Sequence, residues 1–154
     1  MALFISIIMK KLITIFSLLS LLIFTSCNIQ PQKIVYGKDA CHFCRMNIVD
    51  QQHAAQLVTN KGKSYKFDAT ECMIHYNSEI DPSTIALYVV ADYNNPGVLI
   101  DAKTATFIIS ENIPSPMGEF LSAVPTKEEA LALQKAKEGT IYTWEELLVH
   151  FSTK

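Results

Sequence analysis

The stretch Asp92-Tyr-Asn-Asn-Pro-Gly97 divides this chain into two parts that read alike. Six residues dense in Asp, Asn, Pro and Gly end any strand or helix that reaches them. Before this turn, residues 54–59 and 64–67 are rich in β-branched and aromatic side chains. They flank Asn60-Lys-Gly-Lys63, which is a hairpin signal. Asp68 stands where a helix N-cap belongs, and residues 69–79 read as the helix that Asp81-Pro82 stops. Residues 85–90 are an apolar run of strand length. After the turn, 98–100 and 104–109 are strand-like, and Pro114 and Pro116 hold the loop 113–118 extended. A strand follows at 119–124. Pro125-Thr126 leads into a helix at 127–137, acidic early and basic late as the helix dipole favours. Gly139 ends it, 140–142 is a short strand, and Thr143-Trp-Glu-Glu146 has the form of a capping box opening a last helix to about His150. The pattern predicts an α+β fold of two small ββαβ halves, 39–91 and 98–154.

The apolar content is 49% of 154 residues against 18% charged, enough for a core, but part of it lies outside any core. Residues 12–25 form an uncharged apolar run just after Lys10-Lys11. A basic start, an apolar middle and small residues before a cleavage point describe a secretory signal. The run is shorter than the ~20 residues of a bilayer crossing. It ends in Phe24-Thr-Ser-Cys27, which resembles a bacterial lipobox, although Phe24 stands where Leu is usual. Residues 1–26 are therefore expected to be a lipoprotein signal peptide, with Met9 a natural start, Cys27 lipidated and 27–38 a short tether. The expected location is extracytoplasmic, on a bacterial membrane. The net charge is −2 and falls further once Lys10 and Lys11 are removed. Lys and Arg are not clustered, so the footprint of a nucleic-acid binder is missing.

Three cysteines remain after the signal: Cys41, Cys44 and Cys72. An odd number in an oxidising compartment is a poor disulfide framework, and a metal or redox site is the better reading. Cys41, Cys44 and Met46 place three sulfur atoms within six residues. Soft thiolate and thioether donors select Cu(I). Met117, between Pro116 and Gly118 in the stiffened loop, is expected to present its thioether as a further ligand, with His42 as a possible nitrogen donor. Two other readings stay open. Cys41-x-x-Cys44 has the spacing of a thiol-disulfide oxidoreductase, an enzyme, but no buried strand precedes it. Cys72 and His75, three apart on the expected helix, would complete a Cys3His structural zinc module, in which Met46 has no role.

Taken together, Cys27, Cys41-His-Phe-Cys-Arg-Met-Asn-Ile-Val-Asp50, residues 54–59, Gly62-Lys-Ser-Tyr-Lys-Phe-Asp68, Cys72-Met73 and Ser115-Pro-Met-Gly118 resemble the NosL family. These are lipoproteins implicated in bringing copper to nitrous oxide reductase. The resemblance implies Cu(I) binding at Cys44, Met46 and Met117, no catalytic activity, and two ββαβ halves with an organomercurial-lyase-like topology. It implies delivery to the reductase maturation machinery, which includes an ABC-type transporter. Arg45 departs from the family, which commonly has Gly there. Many members lack the counterpart of Cys41.

Overall fold

The structure, a computed structural model, describes residues 29–153. The expected signal peptide, the start at Met9 and the lipidated Cys27 lie outside the described residues. The elements are β1 (Ala55–Thr59), β2 (Ser64–Phe67), α1 (Thr70–Ser78), β3 (Ile85–Ala91), β4 (Leu99–Asp101), β5 (Thr106–Ile109), β6 (Leu121–Val124), α2 (Lys127–Lys137), β7 (Thr140–Tyr142) and α3 (Trp144–Ser152).

The first sheet has the order β2-β1-β3-β4 and the second β6-β5-β7. All named pairings are antiparallel. Each sheet is thus built on one plan: a hairpin, a helix, and a strand that returns beside the hairpin's first member. The first sheet departs from that plan through β4. Residues 98–100 were expected to open the second half, but β4 pairs with β3, Val90 opposite Ile100. The turn at 92–97 is tight enough to fold β4 straight back along β3, with Asp92 N–H bonded to the Val98 carbonyl at 2.8 Å.

The two sheets share a core. A parallel bridge joins Asp92 to Ala123, with Tyr93 N–H on the Ala123 carbonyl at 2.8 Å. Trp144, the first residue of α3, lays its ring 5.6 Å from Tyr88 of β3 and 5.8 Å from Phe107 of β5. Phe67, Met73, Phe107, Leu121 and Leu147 are fully buried in the same cluster. The capping box forms: Thr143 Oγ1 accepts from Glu146 N–H while the Glu146 carboxylate accepts from Thr143 N–H. It sets the start of α3 and hence the position of Trp144.

Two polar residues inside this core, Gln56 and His53, are matched by partners. Gln56, buried on β1, accepts from Gln32 N–H and donates to the Gln32 carbonyl. Together with buried Ile34 this binds residues 32–34 to the sheet, so the expected tether joins the fold before residue 38. His53 bonds Asp50 at 2.8 Å through Nδ1 and Ser122 Oγ at 3.1 Å through Nε2. Asp, His and Ser occur here in the order of a hydrolase triad, but Ser122 is 1% exposed within β6. A sealed hydroxyl meets no substrate, so the trio ties the loop before β1 to the second sheet. Among the described residues no helix is long and apolar enough to cross a membrane.

Candidate metal site

The loop that carries Cys41 and Cys44 is closed on itself. Ala40 and Asn47 form an antiparallel bridge, Cys41 N–H donates to the Met46 carbonyl at 2.8 Å, and Arg45 N–H donates to the Cys41 carbonyl at 3.1 Å. His42 N–H on the Lys66 carbonyl at 2.8 Å lays this knuckle across the edge strand β2. Lys66 Nζ meets the Asp39 carboxylate at 2.7 Å at the loop's base. The knuckle therefore faces the first turn of α1, where Cys72 sits.

Closing so short a loop needs one residue in the left-handed region, and that residue is Arg45 with φ +69. An L-residue there is strained by about 1–2 kcal/mol relative to the right-handed form, and Gly is not. Arg45→Gly is expected to raise stability by up to ~1 kcal/mol, and Arg45→Val to lower it by ~1 kcal/mol or more, because β-branching worsens the crowding. Urea denaturation of the three proteins measures both; equal midpoints would remove the strain argument.

Four donor groups converge between knuckle and helix: the thiols of Cys41, Cys44 and Cys72 and the carboxylate of Asp68, with ligand atoms all within 4.8 Å of one another. Cys41 and Cys72 are fully buried, Asp68 is 2% exposed, and Cys44 is half-buried. Asp68 was expected to cap α1. Instead Ala69 is the N-cap residue, and no side chain caps the helix. The Asp68 carboxylate is turned toward the sulfurs. Its Oδ2 accepts from the Cys44 thiol at 3.4 Å, and its Oδ1 is buried without a hydrogen-bond partner.

The proton distribution follows from these contacts. The Cys72 thiol donates to Cys41, and this, joined by the backbone N–H groups of Asp68 and Cys44, draws the Cys41 thiol down to about 6. Cys72, as the donor to Cys41, is held well above the ordinary thiol range. Burial pushes Cys44 up to about 11, with the negative Cys41 adding to it. The acidity of the cluster is thus concentrated on Cys41, while Cys44 and Cys72 hold their protons more tightly than an ordinary thiol.

The other expected ligands fall in different places. Met46 is 49% exposed on the rim of the knuckle, and Met117 is half-buried against the core. His42 lies among aromatic rings, 4.5 Å from Tyr65 and 4.9 Å from Tyr76. Burial, then the charges of Arg45 and Lys63, lower its pKa. His75 stacks on Phe43 and bonds Glu119 at 2.8 Å through Nε2. Neither histidine belongs to the four-donor group. The fourth position that a Cys3His module would give to His75 is held by Asp68. Asp68 carried a signal only in hindsight: one residue, Ala69, separates it from the helix that it does not cap.

A family model described as NosL matches residues 32–150. The chain belongs to the NosL family. A NosL crystal structure, that of the copper chaperone from Shewanella denitrificans, superposes with a TM-score of 0.67 at 23% identity. The match covers 77% of this chain and 95% of that one, and establishes a shared NosL fold. No curated protein sequence matches the chain.

Proposed function

We propose that this chain is a Cu(I) carrier, tethered outside a bacterial membrane by a lipid on Cys27, that hands copper to the maturation machinery of nitrous oxide reductase, an ABC-type transporter included. One observation carries the reading: three thiols converge at one point, and only Cys44 opens toward solvent, two residues from the half-exposed Met46. Soft donors hold a monovalent soft ion. A donor set with an open side lets a partner's ligands replace Cys44 and Met46 one at a time, which is how a carrier releases its cargo. Met117 would serve as an additional thioether. NosL membership and the fold shared with a copper chaperone support the same assignment.

The oxidoreductase reading fares worse on the same geometry. A redox pair exposes its low-pKa thiolate to substrate. Here the thiol drawn down to about 6 is the buried Cys41, and the accessible Cys44 is pushed up to about 11.

The test is a Cu(I) titration of the reduced protein against a competing chelator. Cys44→Ser and Met46→Ala are each expected to weaken binding by at least ~10-fold. Wild-type affinity in both variants would end the carrier reading. Palmitate labelling that persists in Cys27→Ala would end the lipid anchor.

A further inference from the structure

Copper alone leaves Asp68 unexplained. A carboxylate 2% exposed, with one oxygen lacking any partner, is a costly thing to bury unless a cation meets it. Among the described residues no lysine or arginine is paired with it. It is aimed at three sulfurs, two of which are themselves sealed from solvent. Cu(I) bound by thiolates gains little from a hard oxygen donor. A borderline divalent ion does gain, since zinc takes thiolate and carboxylate ligands together in a tetrahedron.

We infer that Cys41, Cys44, Cys72 and Asp68 form a tetrahedral site for a divalent ion of the zinc class, and that Asp68 is the donor that admits the second positive charge. This site shares its thiols with the copper reading but stands without it. The dimensions fit. A zinc tetrahedron with Zn–S of about 2.3 Å sets its sulfurs about 3.8 Å apart. The donor atoms here already lie within 4.8 Å of one another, so small side-chain rotations close the site. Charge points the same way. Three thiolates and a carboxylate together carry four negative charges, and a divalent ion cancels more of this than a monovalent one. Because the thiols bind as thiolates, taking up the ion releases thiol protons to solvent. The consequence for the carrier is competition: divalent ions would occupy all four donors, whereas Cu(I) uses sulfur.

The experiment uses the full chain, reduced and in detergent, with Co2+ as a spectroscopic probe and Zn2+ as its displacer. Wild type is expected to show thiolate-to-cobalt charge transfer and the intense visible bands of tetrahedral Co2+, both quenched by Zn2+. Asp68→Asn keeps the shape of the side chain and is expected to lose at least ~100-fold in Co2+ affinity, beyond the 10–100-fold typical of an outer-shell change, while Cu(I) affinity moves by less than ~3-fold. Asp68→Cys, which does not depend on an amide being tolerated, is expected to retain tetrahedral bands with stronger charge transfer from an added thiolate. A weak octahedral spectrum in wild type would overturn the inference. Unchanged Co2+ affinity in Asp68→Asn, or equal losses of Co2+ and Cu(I), would overturn the role of Asp68. Tetrahedral cobalt in a wild type that fails to bind Cu(I) would support the divalent site and defeat the copper reading alone.

Discussion

Cys72→Ser is expected to lower Cu(I) affinity by at least ~100-fold and to leave the fold standing. The affinity argument is one of donor chemistry. Serine oxygen is hard and stays protonated at neutral pH, so the ion loses a soft anionic ligand outright. That loss should exceed the 10–100-fold that outer-shell changes cost. The fold argument is one of size: serine is close in volume to cysteine, and the site's neighbours are the side chains of Cys41 and Asp68, which can bond a hydroxyl. A second readout comes from protons. In the wild type Cys44 and Cys72 enter as thiols, so uptake of copper by all three sulfurs releases protons and affinity rises with pH above the Cys41 value of about 6. Without Cys72 its proton is gone, but a Cys41 no longer drawn down enters as a thiol and releases one in its place, so the slope should hold while the affinity falls. The variant also removes the group that draws Cys41 down, so the Cys41 thiol should move back toward its ordinary range and react with alkylating reagents only at higher pH. Chelator competition across pH 6–9 measures both effects. Wild-type affinity would show that copper sits on the outer sulfurs without Cys72.

Much of the fold could be read from residues that act on their neighbours. The expected helix 127–137 and strand 140–142 are α2 and β7, because charge order, Gly139 and the following β-branched run are all local. The hairpin at 60–63 and the capping box at Thr143 are local in the same sense. What could not be read depends on which distant surface a residue meets. Strand β4 looks no different in sequence whether it pairs forward with β5 or back with β3, and only the shared core decides. Asp68 reads as a cap because a helix follows it, but its carboxylate is turned to three thiols, two of them from a loop outside that helix. Cys41, Cys44 and Cys72 could be grouped from sulfur chemistry. Their fourth neighbour required the fold, since a carboxylate before a helix is ordinary until its surroundings are known. The tie from His53 to Ser122 spans 69 residues and had no signal at either end.

Glu71→Ala is expected to cost about 2–4 kcal/mol, and Glu71→Gln to reveal a pH-dependent penalty built into the wild type. Glu71 is fully buried beside Cys72 in the first turn of α1. Its Oε1 accepts from the Ser115 hydroxyl and from Leu121 N–H at 3.3 Å, and Ser115 Oγ accepts in turn from Phe120 N–H at 2.9 Å. One carboxyl thus fixes helix α1 of the first half to the proline loop and β6 of the second. Alanine would strand a half-buried hydroxyl and a buried N–H and leave a void, hence the large cost. Burial raises the Glu71 carboxyl above its ordinary value, and the bonds from Ser115 and Leu121 offset part of that. Because the folded value lies above the unfolded one, the folded chain holds this proton more tightly. Its contribution to stability is therefore complete below about pH 4.3 and is lost as pH rises through the folded value. Glutamine keeps the accepting oxygen and never ionises. Relative to wild type, Glu71→Gln should accordingly gain stability between pH 4 and pH 8. Urea titrations of both proteins at several pH values give the difference directly. A difference that stays flat across that range would mean that Glu71 is ionised throughout, its charge met by the donors around Oε1.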